Sequence, residues 1–97
     1  MRVLSGNRLR SCWEQHADVE QALKAWYAEA RTATWTCPND IKQRYRSADF
    51  LADNRVVFNI KGNKYRLVAK IDYRHQVIRI RFVGIHAEYV RINAETV

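Results

Sequence analysis

Seven cationic side chains, Arg55, Lys61, Lys64, Arg66, Lys70, Arg79 and Arg81, recur through residues 55–83 at positions that a β-sheet turns to one face. Side chains alternate across a strand with period two, so the same rule sends Val56, Phe58, Ile60, Tyr65, Leu67, Ala69, Ile71, Ile78, Ile80 and Phe82 to the other face. Guanidinium and ammonium groups massed in this way suit a polyanion, and arginine adds a planar fork that matches a phosphate. The cationic face carries Asn59 as its amide, and no carboxylate falls between Arg55 and Asp72. Just beyond the last strand, His86 and Tyr89 stand three residues apart, a spacing that places both on one side of a helical turn. Histidine exchanges a proton near neutral pH, and tyrosine can act as an acid or stack.

Two hairpins must hold these residues in register. Gly62-Asn63 is a turn pair of the II′ kind, which sets Ile60 opposite Tyr65, Phe58 opposite Leu67, Val56 opposite Ala69 and Asn59 opposite Arg66. A second turn at Arg74-His75, or a longer loop there, sets Ile71 opposite Ile78, Ala69 opposite Ile80 and Leu67 opposite Phe82. In that register Arg81 faces Val68, one diagonal from Arg66, so that two guanidiniums can converge on one phosphate. Lys70 faces Arg79, a like-charge pair that costs stability unless an anion sits between.

The helical half precedes the sheet. Val19, Ala22, Leu23, Trp26, Tyr27 and Ala30 recur at the spacing of one helix face, and Asp18 with Gln21 resembles a capping box. A shorter helix through Leu9, Cys12, Trp13 and His16 follows an opening strand at Arg2 to Leu4. Pro38 suits the first turn of a brief helix that contains Ile41 and Tyr45, and residues 47–54 read as a loop. Helices with one apolar stripe and a sheet with one apolar face imply a two-layer α+β fold, with two N-terminal helices on a small, mainly antiparallel, twisted sheet.

Ninety-seven residues suit a single domain spanning 1–97, and 47% hydrophobic content with three Trp and five Tyr argues for a folded chain. The net charge of +7 belongs to the second half, because the first 41 residues balance five cations with five carboxylates. Such a bias points to a phosphate-bearing partner or an anionic surface. No apolar run reaches spanning length and no signal peptide is visible, so a cytoplasmic protein away from the membrane is expected. Cys12 and Cys37 lack metal or redox spacing, and His16, His75 and His86 are scattered, so neither a metal nor a cofactor is expected.

The run Asn54-Arg-Val-Val-Phe-Asn-Ile-Lys-Gly-Asn-Lys-Tyr-Arg-Leu-Val68, followed by Ile80-Arg-Phe-Val-Gly-Ile-His-Ala-Glu-Tyr89, resembles the HigB family of toxins from bacterial toxin-antitoxin pairs, which are similar in fold to RelE toxins. The likeness extends over essentially the whole chain. It implies an mRNA interferase, an endoribonuclease that cuts messenger RNA on the translating ribosome. It also implies a HigA-type helix-turn-helix antitoxin that binds and silences the toxin, with operator DNA engaged only through their complex.

Cleavage without metal proceeds by attack of a ribose 2′-OH on the adjacent phosphate, which needs a base, cations around the phosphorus and an acid for the leaving oxygen. Arg66 and Arg81 are the phosphate candidates, and the resemblance adds weight to Arg66. His86 and Tyr89 are the proton-transfer candidates. Lys61 is either a further catalytic group, as lysines are in some relatives, or an anchor. Lys64, Lys70, Arg79, Arg74 and Asn59 extend a track for the RNA backbone, whereas His75 reads as a solvent residue and Glu88 as an exposed one. A solvated sheet face is the plain alternative for the cations, and a non-catalytic RNA-binding module is the rival function. The rival wants aromatic rings for stacking, and the cationic face has none between Arg55 and Asp72.

Overall fold

The computed structural model describes all residues, 1–97. A five-stranded sheet runs in the order β1-β5-β4-β3-β2, made of β1 (Arg2–Leu4), β2 (Asp49–Phe50), β3 (Arg55–Ile60), β4 (Tyr65–Asp72) and β5 (Val77–Ile85). Strand β1 lies parallel to β5 and the other pairs are antiparallel. Helices α1 (Asn7–Gln15), α2 (Glu20–Thr32) and α3 (Pro38–Arg44) join the core on one side of the sheet, and α4 (His86–Tyr89) follows β5. The α+β architecture expected from the pattern is thus present, with α3 as a third helix in the layer and Pro38 opening it. Residues 47–54 are not all loop, because Asp49 and Phe50 pair with Val57 and Val56. No helix is long and apolar enough to cross a membrane.

One core of 18 buried residues sits between the layers. From α2 come Leu23, Trp26 and Ala30, with Val19 just before it, and Ile41 comes from α3. They meet Phe58, Leu67, Ile71, Ile78 and Ile80 from the sheet. Phe58 is the hub: the ring of Trp26 approaches it edge-on at 5.3 Å and that of Tyr45 at 5.1 Å, while Trp35 stacks at 6.3 Å. Such aromatic pairs contribute about 0.5–1.5 kcal/mol each beyond their burial. The indole Nε1 of Trp26 is buried without a hydrogen-bond partner.

The β3–β4 ladder holds the expected register throughout, from Val56 opposite Ala69 to Ile60 opposite Tyr65. The β4–β5 ladder holds it only as far as Ala69 opposite Ile80. A β-bulge then intervenes, and Phe82 stands opposite Val68 while Val83 takes the place opposite Leu67. An extra residue in one strand reverses the facing of everything beyond it. Phe82 therefore leaves the apolar face and joins the cationic one. Arg81 does not face Val68, so the expected convergence of Arg66 and Arg81 on one phosphate loses its geometric basis. The second turn is a four-residue loop, because Asp72 pairs with Val77, and the Asp72 carboxylate accepts the His75 backbone N–H at 3.0 Å.

Asp18 is not a helix cap. It lies in a 3-10 turn, Ala17–Val19, and α2 has no side-chain cap. Its carboxylate instead accepts Lys64 Nζ at 2.6 Å and the Tyr65 hydroxyl at 2.6 Å, binding the helical layer to the tip of the β3–β4 hairpin.

Candidate functional site

Strand β4 aims Arg66 out of the sheet, opposite Gly84 on β5. The guanidinium lies 5.8 Å from the centre of the Tyr89 ring, and its Nη1 donates to the Asn63 carbonyl at 3.0 Å. Tyr89 in turn neighbours His86, with ring centres 6.4 Å apart, and Phe82 at 6.2 Å. Helix α4 is pinned at its start, where the His86 N–H donates to the Lys64 carbonyl at 3.1 Å and the Ile85 N–H donates to Glu88 Oε1 at 3.0 Å. Gly84 makes this approach possible. A Cβ there would stand 2.7 Å from the Glu88 carboxylate and 2.9 Å from the Phe82 ring, closer than real atoms come. Arg66, His86 and Tyr89 are thereby gathered at one end of the sheet.

Arg81 belongs to a different place. With Arg55, Lys70, Arg74 and Arg79 it lines a cleft of about 640 Å³ at the β4–β5 turn end of the sheet. Arg81 Nε and Arg55 Nη2 both donate to the backbone oxygen of Val97, at 3.1 and 3.0 Å. An atom bonded to side chains from β3 and β5 must lie across β4, so the C-terminal segment crosses the middle of this face. Val57 and Val68, on the same side of the sheet, are also fully buried. Arg55 is only 8% exposed, and its Nε lacks a partner.

Alternation leads one to expect a cationic face open to solvent and unneutralised except at its margins, and that expectation is corrected. Asp53 takes Lys70 at 2.9 Å and Arg55 at 3.3 Å, and the Lys70 ammonium, with Arg55 behind it, holds its carboxyl below the usual range. Lys61 adopts a left-handed φ of 54°, which removes it from the strand's alternation, and its Nζ donates to the Asp18 carbonyl at 2.8 Å. Lys61 and Lys64 thus reach round the end of the sheet toward the helical layer, away from Arg66 and Arg81. Hydrogen bonds from Lys64, then Tyr65, drive the Asp18 carboxyl far below its ordinary value. Burial first, then the bond to Asp18, pushes the Tyr65 hydroxyl up to about 12. Asn59 donates to the Ser47 carbonyl at 2.9 Å and so fastens a loop. His75 is exposed and bonded to Asp72 at 2.9 Å. Cys12 is buried, which raises its thiol to about 11, and Cys37 is exposed and also free.

Phe82 is the site residue that alternation alone assigns to the wrong face. Its presence beside Tyr89 also removes the argument that the cationic face lacks aromatic rings. The one hint in the sequence is the glycine at 84, since a close approach there needs something large beside it.

Among curated proteins, no relative matches the sequence. A sequence model of the HigB toxin family matches residues 19–92, which include α2, all of β2 to β5 and the Arg66, His86 and Tyr89 cluster. The chain belongs to that family, the RelE-like toxic component of a toxin-antitoxin system.

Proposed function

We propose that this toxin is an mRNA interferase that cuts messenger RNA through the cluster built on Arg66, and that a HigA-type helix-turn-helix antitoxin silences it. Membership of a RelE-like toxin family suggests ribonuclease activity in general and implies an antitoxin partner. The observation that carries the finer reading is the meeting of Arg66, Tyr89 and His86 beside Gly84, a cation and two proton-exchanging groups at one end of a basic sheet.

In this reading the Arg66 fork holds the scissile phosphate and offsets the charge that builds as the ribose 2′-OH attacks phosphorus. One of His86 and Tyr89 takes the 2′-OH proton, and the other returns a proton to the departing 5′-oxygen. A 2′,3′-cyclic phosphate and a 5′-hydroxyl result, so the step balances without a metal ion. Tyr89 lies against Arg66 and beside Phe82, whose ring is tilted by 51° to its own at 6.2 Å. Lys61 and Lys64, held by Asp18, act as anchors for the backbone beside the hairpin tip rather than as proton carriers. Lys70, Arg74, Arg79 and Arg81 continue the backbone track toward the far end of the sheet.

The test is induced expression. Growth should stop, translated messages should appear as fragments with 5′-hydroxyl ends, and co-expression of an adjacent helix-turn-helix gene should restore growth. Cutting that persists undiminished in EDTA supports the metal-free route. Intact messages in arrested cells would end the nuclease reading. A non-catalytic RNA-binding module gains one observation, the Phe82 and Tyr89 rings on the basic face, since such a module stacks bases on aromatic rings. Arrest with tight RNA binding and no fragments would favour it.

A further inference from the structure

A second cleft, of about 290 Å³, lies where the half of β5 beyond its pairing with β1 meets α1, and Phe82 and Glu88 are part of its lining. Its character differs from that of the arginine cleft at the other end. There, five cations gather; here Arg8 and Glu88 offset one another, and the remaining polar lining is amide, hydroxyl and imidazole. Asn7, Ser11 and Gln15 supply much of it, at spacings of four that put them on one stripe of α1, and all three are exposed. Helix α1 is fixed against the sheet by buried Leu9 and Cys12, so the stripe is presented on a rigid support.

Neutral donors and acceptors around one aromatic wall do not suit a phosphate. They suit a flat heterocycle with hydrogen-bonding edges. Asparagine and glutamine amides pair with an adenine edge, arginine with a guanine edge, and an aromatic ring stacks on any base. The β-bulge that turns Phe82 out of the core makes its ring available, and Phe82 is shared with the cluster where the phosphate is held.

We propose that this cleft is a nucleobase pocket that reads the base next to the cut, with Asn7, Ser11 and Gln15 as specificity-determining residues and Phe82 as the stacking wall. The pocket rests on the reading of the Arg66 cluster as an RNA-cutting site. Phe82 borders both the pocket and the cluster, so base choice would be made by the toxin's own helix as well as by whatever presents the message.

The experiment sequences the 5′ ends produced in cells by the wild type, Asn7→Ala and Gln15→Ala. Both variants should cut less often at the preferred base, and the preference for one base beside the cut should weaken about tenfold, the size expected for one lost amide-to-base contact. Cutting at the same bases with the same frequencies would overturn the pocket. So would a loss of antitoxin rescue without any change in base choice, since the stripe would then be a partner contact. Should the wild type make no new ends, the cleavage reading fails, and the pocket is judged separately by titration with the four nucleoside monophosphates. Unequal shifts at the Ser11 and Gln15 amides, following base identity, support it; equal or absent shifts sink it.

Discussion

Arg66 stands directly across the β4–β5 ladder from Gly84, its guanidinium 5.8 Å from the centre of the Tyr89 ring, while Glu88 and Phe82 fill the space over the glycine. An arginine so placed has one donor engaged, by the Asn63 carbonyl, and further N–H groups with which to meet a phosphate. Replacing Arg66 with Ala should lower RNA cutting at least ~100-fold, the usual scale for removing a group that stabilises transition-state charge. The thermal melt should barely move, since surface substitutions of this kind stay within about 0.5 kcal/mol. Arg66→Lys should recover only part of the rate, because an ammonium lacks the fork. Wild-type killing by Arg66→Ala cells would remove this residue from the mechanism.

Gly84→Ala tests the close approach itself. The new methyl meets the Glu88 carboxylate and the Phe82 ring, and both must move. Overpacking of this kind costs about 1–3 kcal/mol. Glu88 also accepts the Ile85 N–H that starts α4, so its displacement should shift His86 and Tyr89 and reduce cutting more than the melt alone explains. Gly84→Ala combined with Glu88→Ala should recover stability in part. A single variant with wild-type melting and activity would show that the chain has room there.

The limits of the sequence are clearest around these same residues. Register from Val56 to Tyr65 was legible because a turn pair and apolar alternation agree, and the strand order near Ile71 and Ile78 follows from the same parity. The bulge was not legible, since Phe82 and Val83 are adjacent and both apolar. Shifting the strand by one residue still leaves an apolar side chain over the core, so alternation cannot choose between the two registers. Asp18 shows a second kind of blindness. Locally, Asp followed three residues later by Gln reads as a helix start, whereas its real partners lie 46 and 47 residues away on the hairpin. The cluster of Arg66, His86 and Tyr89 could be anticipated from spacing and family likeness, but the separation of Arg81 from it depended on the bulge.

Acid should loosen the hairpin from the helices. The Asp18 carboxyl titrates below its unfolded value because Lys64, then Tyr65, bind its charged form. A depressed folded value means that the unfolded chain takes up the proton first. The contribution is therefore whole above about pH 5, and falls away as pH drops through the unfolded value of about 3.9 toward the folded one. Asp18→Asn should lower the melting temperature at pH 7 and lower it distinctly less at pH 2, so the two profiles draw together in acid. Asp53 and Asp72 are also held low, by Lys70 and by the His75 backbone N–H, so the variant should retain some acid sensitivity. Profiles that run parallel from pH 7 to pH 2 would show that the Asp18 contacts add nothing to folding.

The arginine cleft should govern how strongly RNA is held and not where or how it is cut. Arg79 is exposed and lines the cleft beside Lys70, its partner across the ladder, while Lys70 is already paired with Asp53. Arg79 thus offers a less encumbered charge to a passing phosphate than its neighbour does. Each phosphate contact to a single strand releases counterions and contributes about 0.7 to the slope of log affinity against log salt. Binding of a short single-stranded RNA by Arg79→Ala should weaken at low salt and show a slope shallower by about 0.7, with cut positions unchanged. Lys70→Ala should change the slope less, since its charge is already offset by Asp53 and so meets a phosphate less fully. Binding at 50 and 200 mM salt separates these outcomes, and an Arg79→Ala slope equal to that of the wild type would place the RNA backbone elsewhere on the sheet.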